Sequence, residues 1–478
     1  MNRLLTFRII AAAIILSFIS CSKDSDDPVP QEIEITVSTS DFSITMDENP
    51  TNGQIIGSVQ GSTNDGAVAF SITEQTPSGA FSIDSASGEL KVANETLFDF
   101  ETNPTITGIV NVANGAVSEN ASVEITLNDL VEENVYEGDV ILKTQEEVND
   151  FGANQYTQIN GLLLIGHPEE NGTTDIIDLS PLHSIKIVNN SLQIKNNTIL
   201  TSTVGLNVNF ILGQIAILNN PSLESIKGFE SINSTLGIFL SNNQVLTDVS
   251  GLSQITHIEL NFSIISCPSL PDIDWLQNLS EIGNGIKLIG LNSIRNINAL
   301  SNLRNFTDAY GSIYIANNTS LENLDGLQNF SDDITFLDII GNTALQNIQG
   351  LENIGVFQEL KIKNNESLQS LNGLGAITAV NNRIEIRNNN SLIDLQGLNN
   401  LERASNSFLI QDNESLTSLN GLDGIESFTL IRCYNNTVLS DFCALRSALI
   451  LNSNFGFSAE NNAYNPTKQD IIDGNCSL

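Results

Sequence analysis

The sequence predicts a mainly β chain in two parts: an antiparallel β-sandwich, then a right-handed parallel β-solenoid of about a dozen rungs, each 23–27 residues long. Three observations carry this. An asparagine recurs at Asn197, Asn220, Asn243, Asn318, Asn342, Asn365, Asn389, Asn413 and Asn436, with Cys267 and Leu291 filling the two gaps. Apolar residues stand three and five positions before each marker, as at Leu360 and Ile362, which is the period-two pattern of a half-buried strand. More follow three, six and nine positions after it, as at Leu368, Leu371 and Leu374. A rung this short cannot bury its own apolar face, so the columns must stack on neighbours above and below.

In chain order, residues 1–20 read as an export signal. Arg3 and Arg8 bracket a basic start, and Ile9 to Ile19 is an apolar run too short to span a bilayer. Phe18, Ile19, Ser20 and Cys21 then resemble a bacterial lipobox. That resemblance implies lipidation of Cys21, cleavage before it, and stable anchoring by several acyl chains. Residues 21–32 form an acidic tether. Its Lys23, Asp24, Asp26 and Asp27 resemble the tag that sends lipoproteins to the outer leaflet, so the expected location is the outer membrane, exposed on the cell surface.

Residues 33–131 change texture. Short alternating runs at Glu32 to Val37, Ala67 to Ile72, Ile106 to Val112 and Ser122 to Leu127 are separated by turn residues, as in an antiparallel sandwich. Asp47-Glu48-Asn49-Pro50, Phe98-Asp99-Phe100-Glu101 and Asn128-Asp129 resemble, in order and spacing, a cadherin repeat. The resemblance implies that Glu48, Asp99, Glu101 and Asp129 offer hard oxygen ligands to Ca2+. The pattern is incomplete, because the upstream acidic pair is reduced to Asp65 and no second repeat follows. The alternative is that these acids are turn residues on a solvated edge.

Residues 132–138 read as a linker and 139–478 as the solenoid with its caps. Asp139 to Lys143 is an expected strand, and Thr144 to Glu147 has capping-box spacing for a helix running through Phe151 that covers the first rung. The repeated L-x-I-x-x-N resembles leucine-rich repeats, and its irregular, asparagine-rich form looks most like receptor L-domains. The asparagines can satisfy backbone groups at a turn and bond one another. A glycine eight positions after the marker, from Gly205 to Gly421, implies positive φ or a tight backbone approach. A disulfide between Cys443 and Cys476 is expected to staple the terminal cap, with Cys433 to Cys443 as the alternative.

Composition sets limits on function. With 56 acidic and 19 basic residues the net charge is -37, which repels phosphate backbones and argues against nucleic-acid partners. His167, His183 and His257 are scattered, and HExxH, paired CxxC, GxSxG and a GK pair are all absent, so no enzyme is expected. If the positions three and five before the marker point inward, those two and four before it point outward. They place Leu218, Phe239, Ile265, Ile289, Tyr314 and Ile340 on one face as an apolar stripe, with Lys361, Lys363, Arg387 and Arg432 towards its end. The expectation is an adhesion or recognition protein, held to the membrane only by lipid, whose sheet binds an extracellular protein or glycan. The alternative is a polysaccharide-binding or polysaccharide-degrading solenoid.

Overall fold

A computed structural model describes residues 33–130, 133–170, 172–308, 311–452 and 454–478. The signal segment, Cys21 and the tether lie outside the described residues. The chain is mainly β and divides into two compact units between residues 131 and 132.

The first unit packs a four-stranded sheet and a three-stranded sheet around a core that includes Phe70, Phe81, Leu90, Phe98, Ile106 and Ile125. In the larger sheet the strands run in the order Phe42–Asp47, Val117–Asn128, Thr105–Asn114, Ala69–Thr76. Three of these agree with the sequence reading in place, although each is longer than expected. The first is displaced: no strand covers 33–36, and strand structure begins at Val37–Thr39. Nor is the sheet wholly antiparallel, since Phe42–Asp47 pairs parallel to the end of Val117–Asn128. Alternate residues of that first strand are half-buried and exposed, as expected for a strand with one face on a core.

The second unit is a β-solenoid-like stack. Its main sheet has 15 strands, all paired in parallel and, along the main path, in chain order from Val140–Leu142 to Gly456–Glu460. Smaller parallel sheets, of four and three strands, form from residues preceding the main strand in the first four rungs and in three later ones. One of them begins with Val135–Glu137, which pairs with Gln158–Asn160. Residues 135–137 are therefore part of the first rung and not of a linker. The helix Gln145–Gly152 carries the anticipated capping box, with Thr144 Oγ1 accepting from Glu147 N and Glu147 reaching back to Thr144 N. It packs against the 3-10 turn Ser180–Leu182 of the next rung, so closely that a Cβ on Gly152 would stand 2.3 Å from the Pro181 carbonyl oxygen.

The inward columns form one continuous core, and Ile313, Ile315, Leu337, Ile339, Leu360 and Ile362 are fully buried. Every marker asparagine is also fully buried, and together they form a ladder. Asn389 is typical. Its Oδ1 accepts from Asn365 N at 3.1 Å and Asn365 Nδ2 at 3.3 Å, while its own Nδ2 donates to the Ile362 carbonyl at 2.8 Å. Each side chain thus satisfies the backbone of the rung before it. The ladder starts at the Thr174 hydroxyl, continues past Asn436 to Asn462, and ends on Asn465. The residue just before the marker turns the chain in the left-handed region, as at Asn196, Asn219, Asn364 and Asn388. Asparagine tolerates that conformation best among residues with a Cβ. The glycine column answers mainly to close approach: Gly251, Gly326 and Gly350 lack positive φ, yet a Cβ on Gly326 would lie 1.8 Å from the Ile297 carbonyl oxygen.

Candidate functional site

Two places gather the residues singled out by sequence. In the first unit, Glu48 is 3% exposed and is held by two backbone amides, with Oε2 accepting from Phe100 N at 2.7 Å and Oε1 from Leu130 N at 2.6 Å. Asn49 turns with φ 58 and donates its N–H to the Phe98 carbonyl, and buried Phe98 anchors that loop to the core. Carboxylate oxygens of Glu48, Glu101 and Asp129 lie within 4.8 Å of one another. Asp99 does not join them, because its two oxygens accept from Thr102 N and the Thr102 hydroxyl at 3.1 and 3.0 Å. A hydrogen bond from its own backbone lowers the Glu101 carboxyl pKa, but burial and the charges of Glu48, Asp129 and Asp99 outweigh it and raise the group. Three oxygen donors that repel one another suit a hard divalent cation.

The second place is the outward face of the long sheet. Leu218, Phe239, Ile265, Ile289, Tyr314 and Ile340 all lie there, each half-buried. They do not make a single stripe. Ile265, Ile289, Ala316 and Ile340 are cross-strand neighbours in one column, with Leu218 separated from them by Ser241. Phe239 and Tyr314 belong to the other column, and Ser263 and Lys287 stand between them.

Nor do the basic residues form an open patch. Lys361 Nζ is 2.5 Å from Glu359 and 3.5 Å from Asp338, and Lys363 Nζ is 3.1 Å from Glu385, which Arg383 also meets at 3.2 Å. Burial raises the Asp338 carboxyl pKa, opposed by Lys361 and reinforced by Glu359. For Glu385 burial also raises, but Lys363, Arg383 and Arg387 prevail and lower it. Asp338 Oδ1 and Arg387 Nε are buried without a hydrogen-bond partner among the described residues. Arg432 is half-buried, between Leu409 and Ser458 on the adjoining strands.

The outward face also holds a depression of about 430 Å³ lined by Phe239, Asn261, Ser263, Asn284, Lys287 and Ser312, with Phe262, Gly285 and Ile286 completing it. Asn261, Gly285 and Ser312 belong to a third outward column, six positions before the marker, which the sequence reading did not follow. The signal available there was small residues, Gly237 and Gly285, where other rungs carry Phe336, Glu359 or Arg383. At the start of the strand His257–Ile265, His257 and Glu259 border a second depression with Glu281 of the adjoining strand Glu281–Ile282, and His257 Nε2 is 3.5 Å from Glu281.

Cys443 and Cys476 are bonded, with Sγ–Sγ 2.00 Å, and join the last 3-10 turn to the C-terminal segment. Cys267 and Cys433 are buried free thiols. Burial pushes both thiol pKa values up, at Cys267 against hydrogen bonds from Asn243, and neither suits a nucleophile.

No protein-family profile matches the chain, and no curated protein matches it. Among solved structures it has weak, partial similarity to cadherin extracellular domains. Protocadherin gamma B2 domains 3–6 match at 19% identity and TM-score 0.19, over 21% of this chain and 23% of that one. Drosophila N-cadherin EC1-4 matches at 21% identity and TM-score 0.19, over 21% and 28%. Mouse cadherin-23 EC22-24 matches at 16% identity and TM-score 0.18, over 23% and 38%. The chain thus spans well under half the length of these structures, and likeness at this level does not bear on what it binds.

Proposed function

We propose that this chain is a lipid-anchored cell-surface recognition protein whose solenoid sheet binds an extracellular glycan or protein. The observation that carries the reading is the middle of the outward face, where apolar side chains border a depression walled by polar side chains that make no hydrogen bond or ion pair with a described residue. Solenoids generally present one extended sheet to a ligand. The lipobox-like Phe18 to Cys21 supports anchoring at the outer membrane. The resemblance of the rungs to receptor L-domains within the leucine-rich-repeat architecture fits recognition over catalysis. Glu259 and Glu281 beside the second depression keep polysaccharide cleavage as the second reading, which release of reducing ends from a captured glycan would establish.

The deciding experiment pairs substitutions of opposite facing. Tyr314→Ser with Ile340→Ser is expected to weaken ligand capture several-fold while leaving the melting temperature near that of the wild type, because both side chains face outward. Ile315→Ser with Ile339→Ser places hydroxyls in the packed interior and is expected to destabilise the stack. Unchanged capture by the outward pair would remove the sheet face from the function. For the anchor, Cys21→Ser is expected to abolish labelling by radioactive palmitate.

The carboxylates of Glu48, Glu101 and Asp129 support a Ca2+ site in the first unit, with Glu48 held in place by the Phe100 and Leu130 amides. Calcium is expected to raise the melting temperature of the intact chain's first transition. Glu101→Gln is expected to raise that transition without calcium, by relieving repulsion, and to erase the calcium shift. A calcium shift that survives the substitution would move the site elsewhere.

A further inference from the structure

We propose that the depression walled by Phe239, Asn261, Ser263, Asn284 and Lys287 is a subsite for one carboxylate-bearing sugar residue of an extracellular polysaccharide. This rests on the reading of the sheet as a recognition face and names the ligand class.

Shape comes first. At about 430 Å³ the depression falls in the range of small-molecule sites, roughly 300–1,000 Å³, and is large enough for one sugar ring with its substituents. Missing side chains create it. A Cβ on Gly285 would stand 2.8 Å from the Ser312 carbonyl oxygen, so any larger residue there would crowd the floor. A Cβ on Gly237 would stand 2.9 Å from the Phe239 ring, so the bare backbone at 237 lets that ring lie along the sheet as a wall. An aromatic face of this kind attracts the slightly positive C–H face of a sugar.

Chemistry comes second. The side chains of Asn261, Ser263, Asn284, Lys287 and Ser312 make no hydrogen bond or ion pair with any described residue. Ser263 is only 6% exposed, and what it exposes faces the depression together with exposed Asn261 and Lys287, so these groups are free to meet a ligand's polar atoms in place of water. Asparagine amides both donate and accept, which matches neighbouring sugar hydroxyls. Lys287 Nζ sits 5.8 Å from the Tyr314 ring centroid and has no carboxylate partner, in a chain where acids outnumber bases 56 to 19. An unpaired ammonium beside unpaired amides selects a sugar bearing an anion.

Peptide addition to the sheet fits less well. The strands Ser234–Ser241, His257–Ile265, Gly285–Ile289 and Ser312–Ala316 are each paired on both sides, so no free edge is offered to an extended chain.

The test uses the intact chain on immobilised uronic-acid and sialic-acid oligosaccharides, each beside its methyl-esterified counterpart. At least one acidic member is expected to be retained about ten-fold more tightly than its ester. Lys287→Ala should abolish that preference, and Asn284→Ala should weaken retention of both forms, with unchanged melting temperatures. Equal retention of acid and ester, or a preference that survives Lys287→Ala, overturns the subsite. If neutral glycans are still captured in that case, and Tyr314→Ser with Ile340→Ser still weakens capture, the recognition face stands without it. Retention of no glycan at all overturns both the subsite and the glycan form of the wider reading.

Discussion

The rungs from Asn342 to Asn436 and those around Cys267 and Leu291 share one fold but resolve their polar groups differently. In the later rungs the asparagine ladder is unbroken, and the outward face pairs most of its charges, Lys361 with Glu359 and Asp338, Lys363 and Arg383 with Glu385, while Asp338 Oδ1 and Arg387 Nε stay without a hydrogen-bond partner among the described residues. In the middle rungs Cys267 and Leu291 leave the carbonyls of Leu240 and Ile264 without the side-chain amide that every other ladder carbonyl receives, and the ladder restarts only where Leu291 N donates to Asn318. The outward Asn261, Asn284 and Lys287 there make no hydrogen bond or ion pair with a described residue and are open to solvent. Local rules are thus relaxed inside and outside the same stretch of sheet. Natural proteins break such rules where function asks for it. The proposed ligand-binding segment therefore falls in the middle rungs, where the ladder is interrupted, and the later rungs serve mainly as scaffold.

The largest expected effect tests the interior half of that contrast. Asn389→Ala would strip partners from the Asn365 amides and the Ile362 carbonyl, all buried. At about 1–3 kcal/mol for each unmet group, the loss should be about 3 kcal/mol or more. Cys267→Asn should do the opposite, replacing the sulfur that the Asn243 amides now bond with a better acceptor and reaching the Leu240 carbonyl, for a gain of about 1 kcal/mol. Denaturant titration of the two variants measures both. A destabilised Cys267→Asn would mean that the middle rungs cannot hold the ladder geometry, so their irregularity would be backbone and not merely sequence.

A smaller effect tests the outward half. Removing Lys361 by Lys361→Met would leave Asp338 and Glu359 facing each other, with Asp338 only 7% exposed. The expected cost is about 1–3 kcal/mol. Lys287→Met breaks no ion pair, only an exposed contact over the Tyr314 ring, and is expected to stay within about 0.5–1 kcal/mol. Equal costs in thermal melts would show that the two faces are not differently resolved.

These differences explain what the sequence could and could not reveal. Rung length, the inward columns and the buried markers were legible, because stacking repeats the same demand in every rung. Cadherin-like spacing located Glu48, Glu101 and Asp129, since loop ends of a sandwich converge. It misplaced Asp99, whose oxygens a local turn to Thr102 consumes. Lys361 and Lys363 read as a basic cluster although Glu359 stands on their own strand, two positions before Lys361; the other acids, Asp338 and Glu385, lie on neighbouring strands, where pairing depends on register. The depression escaped notice for a related reason. It arises from what Gly237 and Gly285 lack, and an absent side chain leaves no periodic signal.

The smallest expected effect is one of pH, and it follows from two carboxylates on the self-paired face that are shifted in opposite directions. Asp338 is raised by burial despite Lys361, so its folded form binds a proton more readily than the unfolded chain does. Its charge therefore weighs against folding at neutral pH, and that penalty disappears as pH falls to the unfolded value near 4. Glu385 is lowered by Lys363, Arg383 and Arg387 against its burial, so it stabilises at neutral pH and loses that contribution as pH falls through its folded value, which lies under the unfolded one. Asp338→Asn should accordingly melt slightly above the wild type at pH 7, by about 1–2 °C, and Glu385→Gln slightly below it. Both differences should shrink towards pH 3. Melting curves across that range read the two signs directly. If Asp338→Asn instead melts lower at pH 7, then Lys361 holds its carboxylate more strongly than burial opposes it. The orphaned Asp338 oxygen would then mark this face as a second place where the sheet awaits a partner.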